Sequence, residues 1–322
     1  MDGAARLDGL KEGTATPSAA ALEAARFGFA RTQPHRSAKR VLYFTQAIAI
    51  AALVAALVFA ARAAPAPTFE AIHITAFVIF AAAILFRLIA AGSLTPLLSR
   101  LADRNDVPIY TILCPLYREA NVAPDLVAAL ARLDYPTDHL DIKLLVEGDD
   151  IDTIAAALAV SGAAHIEVVV IPACTPRTKP KALNVGLSRA RGEFVVVYDA
   201  EDRPHPQQLR AALAAFEDDD ASLACVQAPL AIDNADASWI ARQFAAEYAI
   251  QFREILPFLA SIGAPLPLGG TSNHFRTEVL REVGAWDPYN VCEDHSKFSN
   301  KHKRFRTMPF HVPFLSHSIL GG

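Results

Sequence analysis

The residues best placed to do chemistry stand at 199–202, where the run Phe194-Val-Val-Val-Tyr198 ends in Asp199, Glu201 and Asp202. Such a β-branched and aromatic run reads as a buried parallel strand, and its C-terminal end is where open α/β sheets bind ligands. Three carboxylates within four positions are costly there unless a cation or hydrogen-bond donors compensate them. A divalent metal bridging a diphosphate would do so, and hard oxygen ligands suit Mg²⁺ or Mn²⁺. The bland alternative for an isolated motif of this kind is a solvated acidic turn.

The motif is not isolated. Strand-like runs at Ile109–Leu113, Ile142–Val146 and Ile166–Ile171 are each followed by polar groups. The first delivers Pro115-Leu-Tyr117-Arg118-Glu119-Ala-Asn121, the second Glu147-Gly-Asp149-Asp150, and the third Thr178-Lys179-Pro-Lys181-Ala-Leu-Asn184, which opens a helix. Four successive strands thus bring chemistry to one sheet edge. A fifth run lies at Leu223–Gln227, and helix-like stretches at Val122–Leu133, Ile151–Ser161, Lys181–Arg191 and Pro206–Phe216 separate the strands. This alternation predicts an α/β domain with a mostly parallel, Rossmann-like sheet covered on both faces. A longer helical run, Trp239–Leu256, is expected to stop at Pro257.

Upstream, the 21 residues Val41–Ala61 carry no charge, and a second apolar run covers 71–92, interrupted by Arg87. Each is long enough to cross a bilayer, which takes roughly 20 apolar residues. Arg62–Glu70, with Pro65 and Pro67, is too short to be more than the turn of a transmembrane hairpin spanning 39–99. Arg31, Arg36, Lys39 and Arg40 precede the hairpin and Arg100 and Arg104 follow it, against Arg62 alone in the turn. The positive-inside rule then puts both ends, and the domain at 106–294, in the cytoplasm. Residues 1–38 are Ala-rich and unpatterned and are expected to form a flexible or weakly helical tail.

The net charge of −4 and the lack of a basic stripe argue against a nucleic-acid partner. Cys114, Cys174, Cys225 and Cys292 are scattered and read as reduced cysteines, neither a zinc site nor a disulfide framework. His274 reads as a structural polar residue, and Phe275 and Trp286 as core or wall.

In order and spacing, the Pro-x-Tyr-Arg-Glu segment, the Lys-x-x-Ala-Leu-Asn equivalent beginning at Lys179, the Asp-Ala-Glu-Asp run at 199–202, Gly269-Gly270-Thr271-Ser272-Asn273 and Glu293-Asp294 resemble family 2 glycosyltransferases. These have the GT-A fold, and the likeness is to membrane-bound bacterial members related to cellulose and β-glucan synthases. It covers roughly residues 41–294. The resemblance implies an inverting transfer from a nucleotide-diphospho-sugar, expected to be a UDP-sugar, to a glycan or polysaccharide acceptor. The expected location is multi-pass in a membrane of the bacterial inner-membrane type.

It also implies roles. Asp149 or Asp150 would fix the base, Tyr117 and Glu119 would line base and ribose, and Lys179 would meet the diphosphate. Asp199, with Glu201 or Asp202, would hold Mg²⁺ or Mn²⁺, although the family more often carries Asp where Glu201 stands. Asp294 would be the general base. Glu293, Gly269, Gly270 and Thr271 would belong to the sugar and acceptor end. The competing reading of Glu293-Asp294 is an acidic pair at a helix N-terminus.

After Asp294 the pattern breaks. None of the 37 residues after Ala285 is Ala, whereas about one in five before it is, and residues 295–322 hold five Lys or Arg and no acid. This predicts a frameshift, insertion junction or fusion, an aberrant basic tail, and loss of the Gln-x-x-Arg-Trp segment expected downstream. Two further readings therefore stand beside the enzyme: a truncated, inactive remnant that keeps nucleotide binding only, and a nucleotidyltransferase. The second would need a Gly-rich loop after the first strand, and 115–121 contains no glycine.

Overall fold

The computed structural model describes residues 13–93, 101–102, 106–218, 223–264, 266–290 and 304–307, the last four as backbone. The chain divides into two compact units, residues 38–94 and the remainder.

The larger unit is built on one eight-stranded sheet of order β1-β4-β3-β2-β5-β7-β6-β8. The strands are β1 (Thr14–Ala15), β2 (Tyr110–Leu116), β3 (Leu140–Glu147), β4 (Ile166–Ile171), β5 (Phe194–Val197), β6 (Leu223–Gln227), β7 (Asn273–Arg276) and β8 (Arg304–Thr307). β2 pairs in parallel with both β3 and β5, with Ile112 opposite Ile142 on one side and Val196 on the other. The chain runs outward from β2 through β3 to β4, then returns to lay β5 on the other side of β2. That reversal is a topological switch point, which opens a crevice at the strands' C-terminal ends. The fold class is the expected GT-A-like, mostly parallel one. β7 was missed: it runs antiparallel between β5 and β6, and four residues are too few to show a period against the flanking Gly and Asn.

Strand alternation builds two core layers. Ile112, Leu144, Val196 and Phe216 pack on one face; Leu113, Leu145, Val195, Leu183 and Phe275 pack on the other. Four helices follow strand ends as expected: α4 (Ala123–Leu130), α5 (Ile151–Val160), α6 (Lys179–Arg189) and α7 (Gln208–Glu217). His274, Phe275 and Trp286 are all buried in the core.

Four boundaries differ from the sequence reading. Residues 13–37 are not a loose tail: β1 pairs in parallel with β4, and α1 (Ala19–Thr32) docks against α6. Ala25 and Phe29, one helical turn apart, are its buried pair, and Asn184 Nδ2 donates to the Ala25 carbonyl at 3.2 Å. So short a stripe is hidden in an Ala-rich segment.

The second difference lies in the smaller unit. α2 (Phe44–Ala63) and α3 (Pro65–Ala91) meet at Ala64, so Pro65 and Pro67 start a helix and do not form a loop. Proline is well tolerated there, because first-turn N–H groups have no intrahelical acceptor. Both helices are long and apolar enough to cross a membrane, each holding an 18-residue stretch of mean hydropathy 2.3 and 2.4 respectively.

The third is at Pro257, where the helix does not end. α8 (Trp239–Ile250) continues through a wide π turn at Gln251–Ile255 into α9 (Leu256–Ser261). The turn changes the hydrogen-bond register just where proline lacks a donor. Last, β8 lies past the expected domain end at 294 and pairs in parallel with β6.

Candidate functional site

The switch point carries a cleft of about 330 Å³, lined among others by Tyr117, Glu119, Glu147, Arg177, Lys179, Asp199 and Glu201. Each comes from the C-terminal end of β2, β3, β4 or β5, as the strand-end reading requires.

The β2–α4 loop turns sharply at Arg118, whose φ of 59° is unusual for a residue with a Cβ. Asp150 holds that turn. It accepts the Arg118 N–H and, through its other oxygen, the Thr153 N–H at 3.4 Å, which caps α5. Glu119 accepts the Tyr117 N–H at 3.1 Å. Burial raises the Glu119 carboxyl above its ordinary value; the Tyr117 N–H and Lys179 offset this in part, while Glu201 and Asp199 push it further up. Those carboxylates therefore feel one another across the cleft.

At β3, Asp149 faces outward and pairs with Arg177 at 2.8 Å, while Arg177 Nη1 donates to the Tyr117 hydroxyl at 3.2 Å. Asp149, Arg177 and Tyr117 thus form one connected rim. The sequence reading missed Arg177; the signal available was a cation two residues before Lys179 in the same strand-end loop.

The two lysines that open α6 part company. Lys181 is fully buried and its ammonium reaches Glu147 Oε1 at 2.7 Å, Oε2 at 3.0 Å and the Cys174 carbonyl at 3.2 Å. Lys179 points into the cleft, where Nζ lies 2.6 Å from Asp199 Oδ1 and 2.6 Å from the Gly270 carbonyl.

The acidic run after β5 also divides. Asp202 is 2% exposed; its Oδ2 accepts the Asp199 N–H at 2.7 Å and lies against the Thr271 hydroxyl. It braces the turn, whereas Asp199 and Glu201 line the cleft.

The 269–273 segment is held from beneath by Gln227, a second residue missed in the sequence. Buried at the end of β6, Gln227 accepts the Gly269 N–H at 2.7 Å and donates to the Thr271 carbonyl at 3.1 Å. A polar residue closing an apolar strand was the available signal. A Cβ on Gly269 would come within 3.3 Å of Gln227 Oε1 and Phe252 Cζ, so glycine is fitted to this close approach. Ser272, at φ 56°, is a second left-handed residue beside the site. Glu293 and Asp294 lie outside the described residues.

Among the described residues no three His, Cys, Asp or Glu side chains form a ready metal cage. The donor chemistry nonetheless fits a hard cation: Asp199 and Glu201 offer carboxylate oxygens to the cleft, and their mutual repulsion with Glu119 is what a cation would relieve. A larger cleft of about 610 Å³ lies at the opposite ends of β3 and β4. There Lys143 pairs with Asp141 at 2.8 Å and Glu167 at 2.6 Å, and Arg191 pairs with Asp141 at 2.9 Å. That network ties strands together and is far from the strand-end chemistry.

Comparison with known proteins gives a consistent picture. The family described as Glycosyltransferase like family 2 matches residues 108–307, which includes β8. Glucomannan 4-beta-mannosyltransferase 2 of Arabidopsis thaliana is 26% identical over 199 residues, which is 59% of this chain and 37% of that protein. Probable glycosyltransferase YdaM of Bacillus subtilis is 24% identical over 202 residues, 60% of this chain and 46% of that protein. The chain thus spans less than half the length of these relatives. Among solved structures, the mannosyltransferase PcManGT of Pyrobaculum calidifontis, in complex with GDP-Man and Mn²⁺, shares the fold. Its TM-score is 0.57 and its identity 23%, over 74% of this chain and 65% of that one. With the family matching well over half of its length, the chain belongs to glycosyltransferase family 2.

Proposed function

We propose that the chain transfers a hexosyl unit, with inversion, from a nucleoside diphospho-sugar to a glycan acceptor at the cytoplasmic face of a membrane. The observation that carries this is the strand-end cleft, in which Asp199 and Glu201 face Lys179 while the Tyr117–Arg177–Asp149 rim stands at one side. The rim would receive the base: Tyr117 offers a ring face, Asp149 accepts a ring N–H and Arg177 donates to a carbonyl. Lys179 would meet the diphosphate. Asp199 and Glu201 would hold Mn²⁺ or Mg²⁺, which when bound neutralises the departing diphosphate and improves it as a leaving group. Asp294 would take the proton of the acceptor hydroxyl as that oxygen attacks the anomeric carbon from the opposite face. Asp202 would brace the acidic turn and Asp150 the Tyr117 loop, with no direct contact to metal or base.

The Arabidopsis relative is named for mannosyl transfer, and the solved enzyme of this fold holds GDP-Man. GDP-mannose therefore joins the UDP-sugar expected from the sequence as a donor to test. The lengths and hydropathies of α2 and α3 support a membrane hairpin that keeps the enzyme near a lipid-borne or exported acceptor.

The test is titration of the detergent-solubilised full chain with GDP, UDP and their sugars, with and without Mn²⁺, followed by assay of donor turnover. Metal-dependent binding of one nucleotide with release of its sugar supports the proposal. Binding without sugar release supports the nucleotide-binding remnant, and no metal-dependent binding of either nucleotide refutes the donor reading.

A further inference from the structure

Among its described partners, Lys179 reaches two acceptors that belong to different parts of the site. Its ammonium sits 2.6 Å from Asp199 Oδ1, on the side expected to hold the metal, and 2.6 Å from the carbonyl of Gly270, on the side expected to hold sugar and acceptor. Two further cations of the same loop and helix are engaged elsewhere: Lys181 on Glu147 and Arg177 on Asp149. The Lys179 and Asp199 side chains are 22% and 28% exposed, so the pair is reachable from solvent and exchangeable. Pro180, directly after Lys179, fixes the backbone at the first turn of α6 and so restricts where the lysine can start from.

We propose that Lys179 is a built-in counter-cation that competes with the divalent metal for Asp199. In the nucleotide-free protein its ammonium neutralises that carboxylate and fastens Gly270, so a metal ion alone binds weakly. Diphosphate oxygens offer the ammonium better acceptors than a carbonyl and one carboxylate oxygen. Once the lysine moves to them, Asp199 is released for the metal and Gly270 from its tie. Metal and nucleotide then load together, and donor occupancy is felt in the 269–273 segment that Gln227 and Asn273 grip at Gly269. The inference rests on the metal–nucleotide reading above, but its decisive measurement uses metal alone.

The experiment is Mn²⁺ binding to the nucleotide-free full chain, read by the loss of the free-ion electron paramagnetic resonance signal. Lys179→Met removes the charge and keeps the length; it is expected to bind Mn²⁺ up to about fivefold more tightly than the wild type, the effect of freeing a partly exposed carboxylate from its partner. Lys179→Arg keeps the charge and is expected to match the wild type. The gain should vanish in Lys179→Met/Asp199→Asn, which assigns it to this carboxylate. Mn²⁺ binding by Lys179→Met no tighter than wild type overturns the proposal, as does a gain that survives Asp199→Asn. Melting temperatures of the single variants guard against misfolding. Metal-dependent nucleotide binding by the wild type is scored separately: its absence refutes the donor reading, whereas a Lys179→Met gain still upholds the competition at Asp199.

Discussion

Replacing Lys181 by Met would leave the Glu147 carboxylate, only 5% exposed, without the ammonium that now gives it contacts at 2.7 and 3.0 Å. Breaking a buried ion pair from one side costs about 3–5 kcal/mol when the remaining charge has no escape. Glu147 has one, because it can take a proton. From its ordinary value of 4.5, protonation at pH 7 costs about 3.4 kcal/mol, which caps the charge contribution near 3 kcal/mol. For a unit of this size that corresponds to a fall in melting temperature of about 6–12 °C. The sign with pH follows. In the variant the folded state holds a proton that the unfolded state releases above pH 4.5, so stability falls by about 1.4 kcal/mol per pH unit as pH rises through that window. In the native chain burial already holds Glu147 above its ordinary value despite Lys181, so the same sign applies over a narrower window. The deficit of Lys181→Met relative to wild type should therefore shrink from about 3 kcal/mol at pH 7 to about 1 kcal/mol at pH 5. Thermal melts of the full chain in detergent at pH 5, 6 and 7 measure it. Glu147→Leu/Lys181→Met, which removes both charges, should return to within about 1 kcal/mol of wild type. A deficit that does not change with pH, or a double variant as unstable as the single, would refute the reasoning.

Asp141 should govern the acid limb of stability. Burial alone would raise its carboxyl, but Lys143, the Arg191 N–H and the Thr111 hydroxyl outweigh it and hold the value below 3.8. The contribution is complete above pH 3.8 and is lost as pH falls through the lower folded value, so Asp141→Asn should flatten melting temperature against pH below about 4. Gly192→Ala would set a Cβ 2.5 Å from the Thr111 nitrogen and 2.7 Å from the Phe194 oxygen. Both are backbone, so a loss of about 3 kcal/mol or more is expected in urea unfolding. Asp150→Ala removes a helix cap and the tie on the Arg118 turn; about 1–2 kcal/mol of stability should go with it, and nucleotide affinity should fall as Tyr117 loosens. Arg177→Gln should weaken nucleotide binding about tenfold with little change in melting temperature, because its partners Asp149 and Tyr117 are both solvent-exposed.

The sheet was legible because five of its strands are dense apolar runs closed by polar loops; Ile166–Ile171 and Leu223–Gln227 have the same limits in sequence and structure. What escaped was whatever depends on a partner far away in the chain. β7 is a strand because β5 and β6 flank it, and the α1 segment is ordered because Ala25 packs into the layer that holds Leu183 of α6 and accepts from Asn184. Pro257 should stop a helix by local rules, yet a π turn absorbs it. For β7 and α1 a distant contact overrode the local pattern, whereas at Pro257 a change of backbone hydrogen-bond register did.

The site shows the same limit more finely. Residue type and strand-end position gathered Tyr117, Glu119, Lys179, Asp199 and Glu201 into one cleft, but neither property says which of two adjacent carboxylates turns inward. Asp149 and Asp150 differ by one residue, as do Glu201 and Asp202. In each pair the second member meets backbone N–H groups, and those donors decide its orientation. The strained backbone explains why two carboxylates serve as braces. Arg118 and Ser272 both occupy left-handed conformations that cost of order 1 kcal/mol or more unless the surroundings fix them. Asp150 accepts the Arg118 N–H directly, and Asp202 meets the hydroxyl of Thr271, the neighbour of Ser272. If bracing is their role, Asp150→Asn and Asp202→Asn, which keep an acceptor oxygen, should preserve most metal-dependent nucleotide binding, while Asp199→Asn should abolish it. The reverse order, measured by calorimetry with Mn²⁺ present, would reassign the ligands and overturn this division of the acidic residues.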